Sequence, residues 1–78
     1  MDDAATQTRV ISAIRRALHV DDPRVALRMG ATPGWDSLGH MTVILELERE
    51  FGVRVPLGKI PELVDIESIT RALATDMK

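Results

Sequence analysis

The chain contains no cysteine, which removes disulfide staples, thiolate metal sites and thiolate catalysts and suits a reducing cytoplasm. Long apolar runs are missing as well: no stretch reaches the roughly 18 apolar residues of a membrane span. Met1-Asp2-Asp3-Ala4 is acidic where a signal peptide is basic and then apolar. The expectation is a cytoplasmic protein, neither exported nor embedded in a membrane. Nor is there a large excess of one charge. Ten Lys and Arg against twelve Asp and Glu leave a formal charge of -2, which argues against a nucleic-acid partner and gives little long-range steering. The only histidines, His19 and His40, are not at ligand spacing, so no metal site is expected.

What is present describes one small globular domain spanning residues 1–78. The chain is 45% hydrophobic and 28% charged, an ordinary globular balance. A domain of this size buries only about 60% of its unfolded surface, which leaves little room for a deep active site. Val10, Ile11, Ile14, Ala17 and Leu18 recur at helical spacing, predicting a first helix over roughly 6–19 that Asp21-Asp22-Pro23 stops, with Arg9, Arg15 and Arg16 on its water-facing side. Pro23, Gly30, Pro33 and Gly34 then forbid a long regular element. The segment reads as an ordered loop pinned by Val25, Leu27 and Met29, with Trp35 packing it onto the bundle. Asp36 is placed as the N-cap of a second helix over 37–51, and Gly52 as its C-terminal cap. Pro56 and Gly58 allow no more than a short turn of helix over 59–63. Asp65 caps a last helix over 66–76, with Ile66, Ile69, Ala72, Leu73 and Met77 on its inner stripe. The only β-like piece is Val53 to Val55. The fold class is therefore all-α, a small four-helix bundle of three main helices and one short one, with a long loop between helices one and two. Its predicted core is Val10, Ile14, Val43, Ile44, Leu47, Phe51, Ile69 and Leu73.

The second helix has two apolar faces. At about 100° per residue, His40, Val43, Ile44, Leu47 and Phe51 form a core stripe, and Leu38, Met41 and Leu45 form another roughly 140° away. Either a further helix covers the second stripe, or it is a docking surface with Glu46 and Glu48 as its polar rim. Ser37 at the helix start favours docking.

The run Pro33-Gly34-Trp35-Asp36-Ser37-Leu38-Gly39-His40-Met41, followed by Leu47-Glu48-Arg49-Glu50-Phe51-Gly52-Val53-Arg54-Val55-Pro56, resembles the second helix and following turn of acyl carrier proteins. The order of the other helices resembles that family over nearly the whole chain. The resemblance implies that Ser37, within the motif Asp36-Ser37-Leu38, receives a covalent 4'-phosphopantetheine arm from coenzyme A, whose thiol carries acyl groups as thioesters. It implies as partners a phosphopantetheinyl transferase, an acyl-loading enzyme and synthase or transferase enzymes, with the chain itself a monomer and not an enzyme. Without the resemblance Ser37 reads as a plain helix-start residue. Leu38, Met41, Thr42, Leu45, Glu46 and Glu48 become the expected partner-recognition residues.

Departures from the family pattern bear on partner choice. Gly39 and Thr42 stand where many carriers of fatty acid synthesis have acidic residues, and Arg49 interrupts Glu46, Glu48 and Glu50. The expectation is a carrier of polyketide, specialised fatty acid or other secondary metabolism; the alternative is a peptidyl or aminoacyl carrier of a nonribosomal peptide pathway. A hydrolytic reading would use Asp36, Ser37 and His40. It is opposed by Asp36 adjoining the serine instead of orienting the far imidazole nitrogen, and by the imperfect Gly-x-Ser-x-Gly pattern, in which Trp35 takes the first glycine position. His40 reads as a boundary histidine satisfied by its neighbours, with contact to the arm as the other possibility.

Overall fold

The computed structural model describes residues 3–75. Three α-helices, α1 (Asp3–Leu18), α2 (Ser37–Phe51) and α3 (Ile66–Thr75), are joined by a long loop and by a 3₁₀ helix over Leu57–Glu62. α1 packs against both α2 and α3. Val10, Ala13 and Ile14 of α1 meet Val43, Ile44 and Leu47 of α2 and Ile69, Ala72 and Leu73 of α3, with Trp35, Val55 and Leu63 closing the core from the connections. The four-helix bundle is the expected one, and no strand occurs among the described residues.

Several expected boundaries move, each for a local reason. α1 begins at Asp3 and not near Thr6, because Ala4 and Ala5 favour the helix. It ends at Leu18, before Asp21-Asp22-Pro23, since His19 turns left-handed (φ 56°) and Val20 N–H closes on the Arg15 carbonyl at 3.1 Å. The short helix is a six-residue 3₁₀ segment starting at Leu57 instead of a turn over 59–63. Pro56, Gly58 and Pro61 disfavour an α-helix there, leaving bonds such as Lys59 N–H to Pro56 O at 2.9 Å. Val53 to Val55 pairs with nothing as a strand; the isolated bridge joins Arg28 and Asp65 instead. Phe51, expected in the core, is only half-buried, with the Arg9 guanidinium 4.4 Å above its ring. Met77 and residue 76, expected on and at the end of the last helix, lie outside the described residues.

The long loop is tied down by its own polar groups. Buried Thr32 accepts from Arg28 N–H at 2.8 Å and donates to the Ala26 carbonyl, and Met29 N–H donates to the Val64 carbonyl at 2.8 Å. Leu27 and Met29 pack on the core, as expected, while Val25 is half-buried. Gly30 and Gly34 (φ 87° and 85°) let the chain turn so that Gly30 N–H reaches the Trp35 carbonyl at 3.0 Å. Trp35 is thereby fully buried, 1% exposed, as the sequence predicts.

Two contacts fix the start of α2 against this loop. The Trp35 indole N–H donates to His40 Nδ1 at 2.9 Å, and His40 Nε2 lies 2.7 Å from the Ile60 carbonyl. An indole nitrogen only donates, so Nδ1 must accept and the imidazole proton sits on Nε2, donated to Ile60. One buried side chain thus joins the loop, α2 and the 3₁₀ helix. The second contact is backbone on backbone: a Cβ added at Gly39 would stand 1.8 Å from the Gly34 carbonyl oxygen. Only glycine allows the loop this close to the helix.

At the start of α3, the Asp65 carboxylate accepts from Ser68 N–H at 2.8 Å, while Ser68 Oγ takes the Asp65 and Val64 N–H groups at 3.2 and 3.1 Å. This is the predicted cap, with serine completing the reciprocal box. The Ser68 backbone and side-chain hydrogen bonds, aided by Arg28 and Arg71, hold the Asp65 carboxyl below the ordinary aspartate value of 3.8.

Two outcomes follow from these contacts. Gly39→Ala, although it improves helix propensity, lowers unfolding stability by about 1–2 kcal/mol because the loop backbone must retreat; an unchanged or raised urea midpoint contradicts the close approach. Because folding lowers the proton affinity of Asp65, its stabilisation is complete above the ordinary aspartate value and is lost as pH falls through the lower folded value. Asp65→Asn keeps a capping side chain without the titration. Thermal melts of this variant should match the wild type closely near neutrality and lose less stability in acid; parallel acid limbs contradict the assignment.

Candidate functional site

The backbone at Asp36 is extended (φ -104°, ψ -165°), its carboxylate accepts Gly39 N–H at 2.8 Å, and its carbonyl accepts His40 N–H at 2.8 Å. The predicted N-cap is in place, and Ser37 is the first helical residue. Its side chain is exposed and its hydroxyl is engaged by no other described residue. The amides of Ser37 and Leu38 have no intrahelical acceptor, as at any helix start, and the positive end of the α2 dipole lies here. An anion esterified to Ser37 Oγ would meet these groups. An open groove between the end of α1 and the start of α2, lined by Leu18, Gly34, Asp36, Leu38 and Thr42, runs beside it.

Among the described residues no general base is hydrogen-bonded to the serine hydroxyl. His40 is 5% exposed and both of its ring nitrogens are taken, by Trp35 and by Ile60. The boundary histidine of the sequence reading is thus a buried structural link. Asp36 adjoins Ser37, and its Oδ1 is held by Gly39 N–H. Among the described residues no group of three or more His, Asp or Glu is gathered as a metal-ligand set. Asp36, Ser37 and His40 lie together in the fold, yet they do not form a nucleophile constellation.

The second apolar stripe of α2 is not covered by another helix. Leu38 is 82% exposed, Leu45 62% and Met41 44%. Thr42 is exposed within the same stripe, and the Arg49 side chain, 83% exposed, continues it one turn beyond Leu45. The expected acidic rim is built differently. The Glu46 carboxylate is held by Arg16 Nε at 2.9 Å and is 18% exposed, and Glu48 Oε2 accepts Val55 N–H at 2.8 Å. Glu50 takes Arg9 Nε at 2.9 Å and Arg16 Nη2 at 2.8 Å. These two hydrogen bonds hold its carboxyl below the usual glutamate range.

Sequence reasoning missed this latch by leaving Arg9 and Arg16 on the water-facing side of α1. A signal was available: arginines seven apart on α1 and glutamates four apart on α2 fall on matching helix faces once the two core stripes are packed together. Gly39 also changes meaning, because its missing side chain is required by the Gly34 contact whatever it does for partner choice.

A family model described as phosphopantetheine attachment site matches residues 8–73, which include the whole of α2. No curated protein and no solved structure gives a match. Among the described residues no helix is long and apolar enough to cross a membrane. Carrier domains of this kind are generally non-catalytic and work with phosphopantetheinyl transferases and synthase enzymes. Since the match takes in nearly all of the chain and the bundle is the one expected of such carriers, the protein belongs to the phosphopantetheine attachment family as an acyl-carrier-type domain, and its cofactor is covalent 4'-phosphopantetheine.

Proposed function

We propose that Ser37 is the attachment residue and that the chain is an acyl carrier protein, not an enzyme, serving a polyketide, specialised fatty acid or related secondary pathway in the cytoplasm. The observation that carries this reading is the exposed, unengaged Ser37 hydroxyl in the first turn of α2, capped by Asp36 and inside the matched family region. The residues present suit the group: an outward hydroxyl, two uncommitted amide positions and a positive helix end beside the future phosphodiester. When bound, the arm supplies a thiol on which acyl groups travel as thioesters.

In the attachment step Ser37 Oγ forms a bond to the phosphorus of coenzyme A that bears the pantetheine. The pyrophosphate bond breaks and adenosine bisphosphate leaves. The hydroxyl proton passes to the transferase, since among the described residues no base is hydrogen-bonded to Ser37. The protein's own part is positional. The Asp36 cap and the Trp35–His40–Ile60 link hold the helix start, so partners meet the arm at a fixed point. Leu38, Met41, Thr42 and Leu45 supply the apolar face they dock on, with Glu46 and Glu48 at its edges. Trp35-Asp36 before the serine favours the acyl over the peptidyl type.

Incubation with a phosphopantetheinyl transferase, its metal ion and coenzyme A should add one arm to the intact mass, and Ser37→Ala should abolish the addition while leaving the circular dichroism spectrum unchanged. An arm that survives Ser37→Ala, or none on the wild-type chain, overturns the assignment.

A further inference from the structure

The sequence of α2 is nominally acidic, with Glu46, Glu48 and Glu50 against Arg49, but the fold does not present it so. Glu46 and Glu50 are pulled toward α1 by Arg16 and Arg9, whose side chains remain about half exposed along that edge. Glu46 also has Arg49 Nη1 at 3.7 Å. Glu48 has no ion-pair partner among the described residues, yet the Val55 N–H draws its carboxylate toward the turn after α2. Asp36, at the other end, is committed to the helix cap. Leu38, Met41, Leu45 and Arg49 fall at intervals of three and four and, with Thr42 four after Leu38, make one outward stripe. That stripe is apolar, and its only charge is the most exposed member of the Glu46 pair, the Arg49 cation.

The geometry points to a docking face selective for partner enzymes with an apolar, neutral-to-acidic binding surface and unsuited to partners with a basic one. The occupant is a carrier-binding enzyme whose apolar socket receives Leu38 and Leu45 and whose carboxylate faces Arg49. Charge complementarity carries the choice: a basic surface would meet Arg49 and the flanking Arg9 and Arg16, while Glu46 and Glu50 are already paired and Glu48 is turned toward the Val55 N–H. Arg9 and Arg16 thus mask the acidity of α2 as well as latching it. This inference deepens the carrier reading and rests on it.

The test measures docking on Ser37→Ala, which can accept no arm, so that binding and attachment are scored apart; arm transfer to the wild-type chain is followed separately by intact mass. The probes are two phosphopantetheinyl transferases, one with a basic and one with an apolar carrier-binding surface, titrated calorimetrically at low and high salt. The apolar-surfaced enzyme should bind at least about tenfold more tightly, with little salt dependence. Adding Arg16→Met takes from Glu46 its closer partner and from Glu50 one of its two, and should strengthen binding to the basic-surfaced enzyme several-fold at low salt only. Arg49→Glu should do the same by an independent route. Tight, steeply salt-dependent binding of the Ser37→Ala parent to the basic-surfaced enzyme overturns the proposal, as does unchanged affinity for it in both added variants.

Discussion

The hydrogen-bonded line from the Trp35 indole through the His40 imidazole to the Ile60 carbonyl sets where α2 begins, and the placement of Ser37 follows from it. Three segments that share no secondary structure meet at one buried side chain. Leaving either ring nitrogen without its partner would cost about 1–3 kcal/mol in this setting, a large share of the stability of so small a domain. The line also explains why the loop can lie against the helix at Gly39, where no side chain would fit beside the Gly34 carbonyl. With loop, helix and 3₁₀ segment joined, the first turn of α2 is a fixed platform although its outer surface is open.

That platform separates two duties that an enzyme would combine. The polar groups that could activate a hydroxyl, His40 and Asp36, are spent on holding the helix start. The hydroxyl itself is left exposed. On the proposed reading, such a site is modified by another protein and presents what it then carries. The arginine latch between α1 and α2 extends the same division of labour, since Glu46 and Glu50 hold the helices together and leave the outward stripe to apolar contact.

Much of this was legible in the sequence because it depends on local rules. Asp36, Gly52 and Asp65 were readable as caps from residue type and position, and periodicity alone separated the core stripe of α2 from Leu38, Met41 and Leu45. The exposure of that second stripe required the structure, because periodicity does not tell a docking face from one covered by a neighbour. Phe51 was misplaced in the core for a related reason: it has the right phase, but it sits at the helix end under Arg9, where the bundle no longer encloses it. His40 lay on the core stripe, yet its partners come from the loop and from residue 60, twenty positions away. Links of that range leave no periodic trace. Gly39 looked like a missing acid and proved to be a packing requirement, a distinction that rests on one backbone distance.

The central claim is that Ser37 is a tether on a preformed scaffold, and it is tested most directly by comparing amide and side-chain nuclear magnetic resonance spectra of the protein before and after the arm is added. Shifts confined to the start of α2 and the groove beside it, with the Trp35 indole proton unmoved and the His40 proton still on Nε2, are the result expected. Shifts spreading through the α1–α3 core, or a loss of the Trp35–His40 hydrogen bond on attachment, would contradict it.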